Sequence, residues 1–381
     1  MSERERRWRL VLGGASEQAL GGLAGLDAGM DAALGALYEP AAPGERGAGL
    51  GSSAPRVARW LGDIRTYFPS TVVRVMQTDA IERLNLKRLL LEPEVLEAVE
   101  PDVHLVSTLL ALNSVLPEET RQTARLVVRK VVEDLERRLA QRTRQALTGA
   151  LDRAARNRRP RHNEIDWDKT VRANLRHWQP AHRTVIPETL IGYGRRQQAV
   201  QRDIVLCVDQ SGSMAPSVVF AGVFGAVLAG LRAVRTQLVV FDTSVVDLTD
   251  HLDDPVDLLF ATQLGGGTDI NQALAYCQST LTRPTQTVLV LISDLIEGGS
   301  REEMLARAAD LVAAGVQVIA LLALSDDGAP AYDHENAAAL AALGIPAFAC
   351  TPDLFPELMA AAIERRDIGQ WASSHDIAVS P

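Results

Sequence analysis

Oxygen donors gather at three places in the second half of the chain. Asp209-Gln210-Ser211-Gly212-Ser213 offers a carboxylate and two hydroxyls at alternate positions of one tight turn. Gly265-Gly266-Gly267-Thr268-Asp269 adds a hydroxyl and a carboxylate, and Ile292-Ser293-Asp294 ends in a further carboxylate. Ligands drawn from Asp, Ser and Thr suit a hard cation: Mg²⁺, or another divalent ion such as Mn²⁺ or Ca²⁺. Few of these ligands are anionic, so the ion stays electrophilic, and an open position attracts a carboxylate brought by another molecule. On this reading Asp209, Ser211, Ser213, Thr268 and Asp294 hold the metal, and Asp269 is an outer carboxylate. Glu297 either joins that outer layer or is simply exposed. Each stretch also has a bland reading: Ser-Gly-Ser after a strand can cap a helix, and the glycine-rich stretch can be a turn and a cap. Three such loops in order, each at a strand end or a helix start, favour the metal. Asp242 reads as structural, Asp326-Asp327 as a surface turn and His334 as a solvated side chain.

The elements that must position these donors are legible from residue 202 onward. Short apolar runs at 203–209, 237–242, 287–294, 316–324 and 346–351 alternate with helical patterns near 217–233, 269–280, 301–314, 335–343 and 353–366. Strands apolar on both faces, alternating with helices, predict a doubly wound, mostly parallel α/β sheet covered on both sides. Such sheets bind ligands in the crevice at the carboxyl ends of their strands, where all three donor stretches fall.

Together the three stretches resemble the metal-ion-dependent adhesion site of von Willebrand factor A (VWA) domains. Asp209, Ser211 and Ser213 match the family's DxSxS motif, Thr268 its second-loop threonine and Asp294 its third-loop aspartate. The resemblance implies that the serines, and usually the threonine, contact the metal directly, while the aspartates often act through water. Many VWA domains continue the third loop with Asp-Gly. Here the chain reads Asp294-Leu295-Ile296-Glu297-Gly298-Gly299. That ending, and DWDKTVRANL…RTVIPETL further upstream, resemble the bacterial CoxE-like VWA proteins found alongside MoxR-type AAA+ ATPases. The implied partners are such an ATPase and a client protein presenting a carboxylate, with the chain as adaptor or co-chaperone.

Enzymatic readings are harder to build. A phosphatase with an aspartyl nucleophile needs a second Asp two residues on, where Ser211 stands. A serine hydrolase wants GxSxG with a later Asp and His, and a dinucleotide fold wants GxGxxG after its first strand. No GxxxxGK[ST] is present for a P-loop. The expectation is therefore a non-enzyme, with a metal-dependent hydrolase or phosphatase, or an RNA-associated VWA protein, as alternatives.

Ahead of the α/β half, residues 1–150 read as an all-helical domain. Val57, Trp60, Leu61 and Ile64 recur at helical spacing, and further helices are expected at Leu84–Leu91, Val103–Leu112 and Leu126–Leu139. A Gly/Ala/Pro-rich stretch at 40–55 predicts a mobile loop. Residues 151–200 read as an arginine-rich linker followed by a connector, rich in aromatics from 165 to 197, that packs against the second domain. Residues 201–368 form the VWA domain and 369–381 a tail. Residues 1–200 hold 31 Lys/Arg against 25 Asp/Glu, and residues 201–381 hold 8 against 23. An acidic α/β half suits cations and argues against nucleic acid as its ligand. The seven arginines from Arg142 to Arg161 lack the aromatic interleaving of a nucleic-acid site and read as a solvated helix end. No apolar run approaches the roughly 20 residues of a membrane helix, and no signal peptide is expected at the N-terminus. Cys207, Cys277 and Cys350 lie far apart in apolar stretches and read as buried thiols, placing the chain in the cytoplasm.

Overall fold

The computed structural model describes residues 2–38, 54–83, 86–154, 165–180, 182–191, 202–231, 234–262, 264–325 and 330–379. Two compact units divide between Glu133 and Asp134. The division falls inside one long helix, whereas the sequence reading closes the helical domain at residue 150.

The first unit holds α1 (Glu3–Leu12), α2 (Glu17–Leu20), α3 (Leu26–Tyr38), α4 (Ala54–Tyr67), α5 (Ser70–Arg83), α6 (Pro93–Ala98) and α7 (Val103–Ala111). It also holds the start of α8 (Glu118–Ala154). A capping box starts α1: Ser2 Oγ accepts from the Glu5 amide at 3.3 Å, and the Glu5 carboxylate accepts from the Ser2 amide at 2.6 Å. Val57, Trp60, Leu61 and Ile64 are all buried, so the predicted stripe of α4 is the face turned to the core. Two expectations change. Leu84–Leu91 gives a 3-10 helix over Leu86–Leu91, and Leu126–Leu139 is the middle of the 37-residue α8. The glycine-rich stretch falls, up to residue 53, outside the described residues, as do residues 155–164 of the arginine cluster.

The second unit continues with α9 (Trp167–Ala173) and a two-stranded hairpin of β1 (Trp178–Gln179) and β2 (Thr184–Val185). Then come β3 (Arg202–Asp209), α10 (Ala215–Ala229), β4 (Val234–Phe241), β5 (Val245–Asp247), α11 (Pro255–Ala261), α12 (Ile270–Thr280) and β6 (Thr287–Ile292). The chain ends with α13 (Arg301–Ala313), β7 (Gln317–Leu324), α14 (His334–Ala342), β8 (Ala347–Cys350), α15 (Phe355–Ile363) and α16 (Ile368–Ser374). Six strands form one sheet in the order β5-β4-β3-β6-β7-β8. All neighbours run parallel except the short edge strand β5, which is antiparallel to β4. Every residue of β3 and β6 is buried, as expected for central strands covered on both faces.

The chain goes to β4 on one side of β3 and to β6 on the other. The strand order therefore reverses between β3 and β6, which opens a crevice at their carboxyl ends. One face of the sheet packs Val205, Cys207, Leu289 and Leu291 against Ile270, Leu274 and Cys277 of α12 and Met304 and Leu311 of α13. On α10 the rings of Phe224 and Phe355 of α15 lie 4.5 Å apart.

Three features depart from the sequence reading. The window Gly212–Ala229 is long and apolar enough to cross a membrane by length and composition, and 72% of it is buried inside the fold. It is apolar all round because α10 is enclosed on every side. The expected tail from residue 369 includes most of α16, whose N-cap Asp367 accepts from the Gln370 amide at 2.9 Å. Ile368, Trp371 and Ala372 of α16 are buried at i, i+3, i+4 spacing. The third departure is β5 and α11, too short to show a period in sequence. The α11 start is marked only by the Asp254 cap and Pro255.

Candidate metal centre

Asp209 is the last residue of β3, in register with Phe241 of β4, and is fully buried at the floor of the crevice. Its Oδ1 accepts the Ser211 amide at 2.8 Å, which turns the chain sharply after the strand. Its Oδ2 accepts the Ser293 hydroxyl at 2.8 Å, from the residue that follows β6. Ser213 donates its hydroxyl to Asp294 Oδ2 at 2.8 Å, and the Ser211 and Ser213 hydroxyl oxygens lie 3.3 Å apart. Asp209, Ser211, Ser213 and Asp294 thus form one hydrogen-bonded group spanning the switch point. Its carboxylates sit deep, Ser213 is at the exposed rim and Ser211 lies between.

The second loop is tied to this group through its backbone. Gly265 N donates to Gln210 O at 3.0 Å, Asp269 N to Asp242 O at 2.8 Å, and Gly298 N to Thr268 O at 2.8 Å. Thr268 is thereby held between the first and third loops. Gly266 adopts φ +105°, a conformation open to glycine, and a Cβ there would stand 3.3 Å from Asp242 Oδ2. A Cβ on Gly298 would stand only 2.7 Å from the Thr268 carbonyl oxygen, so this loop closes only over glycine.

Asp269 caps α12 by accepting the Gln272 amide at 2.8 Å. Glu297, read as either an outer carboxylate or an exposed one, is half-buried. It accepts the Ile270 amide at 2.8 Å and the Gly299 amide at 2.8 Å, so it closes the α12 N-terminus from the third loop. Asp242 is structural, accepting the Ser244 amide at 2.7 Å and the Ser244 hydroxyl at 2.9 Å. His334 is exposed, its ring 4.1 Å from that of Tyr332. Asp326-Asp327 lies outside the described residues.

Sequence reasoning passed over three residues that support the group. Ser293 clamps Asp209 and also accepts the Leu295 amide at 3.0 Å, which holds Leu295 at φ +62°. Asp333 N donates to Asp294 O at 2.9 Å, and the buried Asn336 donates to Leu295 O at 2.9 Å. A hydroxyl directly before Asp294 was a visible signal for Ser293. The other two come from a distant helix start, which one sequence cannot pair.

The electrostatics favour a cation. Burial pushes the Asp209 carboxyl up from its ordinary value. Hydrogen bonds from Ser211 and Ser293 pull against that rise, and the Asp294 charge adds to it. No Lys, Arg or His pairs with Asp209 or Asp294 among the described residues, although buried charges are normally paired or bound to metal. Nor do three His, Cys, Asp or Glu side chains converge among the described residues. The donor set is instead two carboxylates and two hydroxyls, a composition that fits a hard divalent ion and not a soft one.

A model of the family described as VWA domain containing CoxE-like protein matches residues 139–359. The chain belongs to that family. This CoxE-like VWA protein is 39% identical over 352 residues to the uncharacterized protein YehP of Escherichia coli (strain K12), covering 91% of this chain and 93% of that one. Similar solved structures include the conserved hypothetical protein BatB from Bacteroides thetaiotaomicron, 14% identical over 45% of this chain and 99% of that one, TM-score 0.33. Another is the von Willebrand factor type A protein from Catenulispora acidiphila, 14% identical over 44% of this chain and 42% of that one, TM-score 0.32.

Proposed function

We propose that this CoxE-like VWA protein is a non-enzymatic binding module that holds a divalent cation and, through it, captures an acidic side chain of a protein partner. The observation behind this reading is the meeting of Asp209 and Asp294 across two strand ends, with no cationic side chain among the described residues to balance them. Asp209, Ser211, Ser213, Thr268 and Asp294 are the residues that would hold Mg²⁺, Mn²⁺ or Ca²⁺. A bound ion supplies electrophilic attraction for a carboxylate oxygen that the protein lacks by itself. The rim hydroxyls of Ser211 and Ser213 orient that approach, while Ser293 and Asn336 keep the floor rigid.

The family's association with MoxR-type AAA+ ATPases supports such an ATPase as partner. The client is then a protein complex that the pair remodels or supplies with metal, in the cytoplasm.

Calorimetric titration of the full chain with MgCl₂ tests the first step. Asp209→Ala is expected to abolish the binding isotherm and leave the circular dichroism spectrum intact, and unchanged affinity would sink the site assignment. Affinity capture in Mg²⁺ and again in EDTA, read by mass spectrometry, tests the second. An AAA+ ATPase retained only with Mg²⁺ supports the reading. The same partner retained in EDTA removes the metal from partner binding.

A further inference from the structure

Three of the eight cationic side chains of residues 201–381 gather at the amino end of the sheet: Arg202, Arg365 and Arg366. Arg202 begins β3, so it lies about 23 Å from Asp209 at 3.3 Å per residue. It is 9% exposed. Its Nη2 donates to Ile363 O at 3.1 Å and its Nη1 to Gln286 Oε1, while its Nε has no partner among the described residues. Burial lowers this guanidinium from its ordinary value, and the charge of Arg365 adds to that effect. Neither Arg202 nor Arg365 forms an ion pair among the described residues, so two neighbouring cations stand without a carboxylate.

Arg365 occupies a position that favours glycine. At the end of α15, Arg365 N donates to Ala362 O and Arg366 N to Ala361 O, both at 3.0 Å, and Arg365 adopts φ +57°. Glycine usually fills this left-handed place after a helix, because a Cβ there crowds the following carbonyl oxygen. A side chain kept at a strained position points to a use for that side chain. The Arg365 guanidinium donates to Thr285 O ahead of β6, and to Gly315 O ahead of β7 at 3.5 Å. Those two contacts leave further N–H donors on the same group.

A cleft of about 780 Å³ opens beside Arg365, between the starts of β7 and β8 and the turn that joins α15 to α16. That volume is ordinary for a small-molecule site. Its polar lining is of two kinds. Arg365 and Arg366 supply donors, and Arg366 Nε lies 3.4 Å from the Glu364 carboxylate. Gln317 and Asp367 supply acceptors. Gln317 Oε1 is buried with no partner among the described residues, and Asp367 caps α16 by accepting the Gln370 amide at 2.9 Å. Val312 and Pro346 add an apolar wall. Two uncompensated guanidiniums suit a phosphate monoester, which carries about −1.5 to −2 at neutral pH. A bare anion would leave Gln317 unsatisfied and would face Asp367. A phosphate ester that also carries hydroxyls answers both the donors and the acceptors, and a flat ring covers the apolar wall.

We propose that this cleft binds a nucleotide, with the phosphate on Arg365 and Arg366, the ribose hydroxyls on Asp367 and Gln317, and the base against Val312 and Pro346. The site shares no residue with the metal centre. The full chain is titrated calorimetrically with AMP, GMP, CMP and UMP in EDTA, so that no Mg²⁺ can carry a phosphate to Asp209 and Asp294. At least one should bind, with its nucleoside and inorganic phosphate each weaker by about tenfold or more. Arg365→Gly should weaken that nucleotide by about tenfold or more, with a nearly unchanged thermal melt, because glycine accepts φ +57°. Gln317→Met removes the unpartnered oxygen at similar volume, and it carries the test should Arg365→Gly unfold the turn. It should weaken the nucleotide by about fivefold and leave the melt intact. Absence of binding by all four nucleotides in EDTA overturns the proposal. So does equal binding of the nucleoside or of phosphate alone, or an affinity unmoved by both substitutions. Asp209→Ala should bind the nucleotide as the wild type does, and loss of binding there would place the ligand at the metal centre instead.

Discussion

The Ser293 hydroxyl donates to Asp209 Oδ2 at 2.8 Å, joining the ends of the two central strands beneath the mouth of the crevice. This contact sets the orientation of a fully buried carboxylate that has no other side-chain donor on that oxygen among the described residues. Partners behind metal ligands are typically worth about 10- to 100-fold in affinity. Ser293→Ala should therefore weaken Mg²⁺ binding by about tenfold or more. The sheet register is unaffected, because the Ser293 amide still bonds Leu321 O. Calorimetry paired with circular dichroism checks both halves of that expectation.

Gly298 offers a test of the loop closure. A Cβ 2.7 Å from the Thr268 carbonyl oxygen meets backbone and cannot be relieved by turning a side chain. Gly298→Ala should push the third loop off the second and cost about 1–3 kcal/mol, the usual range for overpacking. Metal affinity should fall with stability, since Thr268 and the α12 cap by Glu297 both depend on the same loop. A urea melt beside a Mg²⁺ titration separates the two. An alanine variant with normal metal affinity would show that Thr268 does not need this closure.

The strand-helix alternation of the second unit is readable because central parallel strands are continuous apolar runs and several helices start at a cap such as Asp269 or Ser300. Two of the donor stretches are readable for the same reason, since they sit where the β3 and β6 runs stop, and the third is marked by its glycines and the Asp269 cap of α12. What could not be read was any pairing over long sequence distance. Asn336 reaching Leu295 and Asp333 reaching Asp294 depend on how α14 docks, and no local pattern encodes that. Glu297 was ambiguous because a carboxylate near a metal loop and one capping a neighbouring helix look alike in sequence. The helix at Ile368–Ser374 is not legible because α16 is only seven residues long, and its apolar stripe needs Phe348 on β8 to have meaning.

The three cysteines should be silent. Burial pushes the Cys350 thiol up to about 12, and Cys207 is raised well above its ordinary value by its contact with Cys277 and by burial. Reactivity requires thiolate, so native protein at pH 8 should consume no Ellman's reagent over the time in which guanidinium-unfolded protein reacts fully. Rapid labelling of Cys207 or Cys277 would mean that the β3–α12 layer opens locally, and labelling of Cys350 that β8 does.

Asp247 links the edge of the sheet to α12. It accepts from Thr249 N at 2.9 Å, Gln237 Nε2 at 2.9 Å, Tyr276 OH at 2.9 Å and Thr249 Oγ1. Partial burial alone would raise this carboxyl, and the hydrogen bonds together outweigh it and hold the carboxyl below its ordinary value. The unfolded chain therefore binds the proton more readily than the folded one. The stabilisation is present above the unfolded carboxyl range and is lost as pH falls through the folded value. Asp247→Asn should lower stability at neutral pH, and the gap to the wild type should close as the solution is acidified. Tyr276→Phe removes one of the four bonds and should cost about 0.5–1.5 kcal/mol. The Tyr276 hydroxyl is itself raised by donating to Asp247, so its share is lost instead as pH rises through its folded value. Urea unfolding of wild type and both variants from acid to alkaline pH checks the signs. A gap between wild type and Asp247→Asn that widens in acid would refute the account.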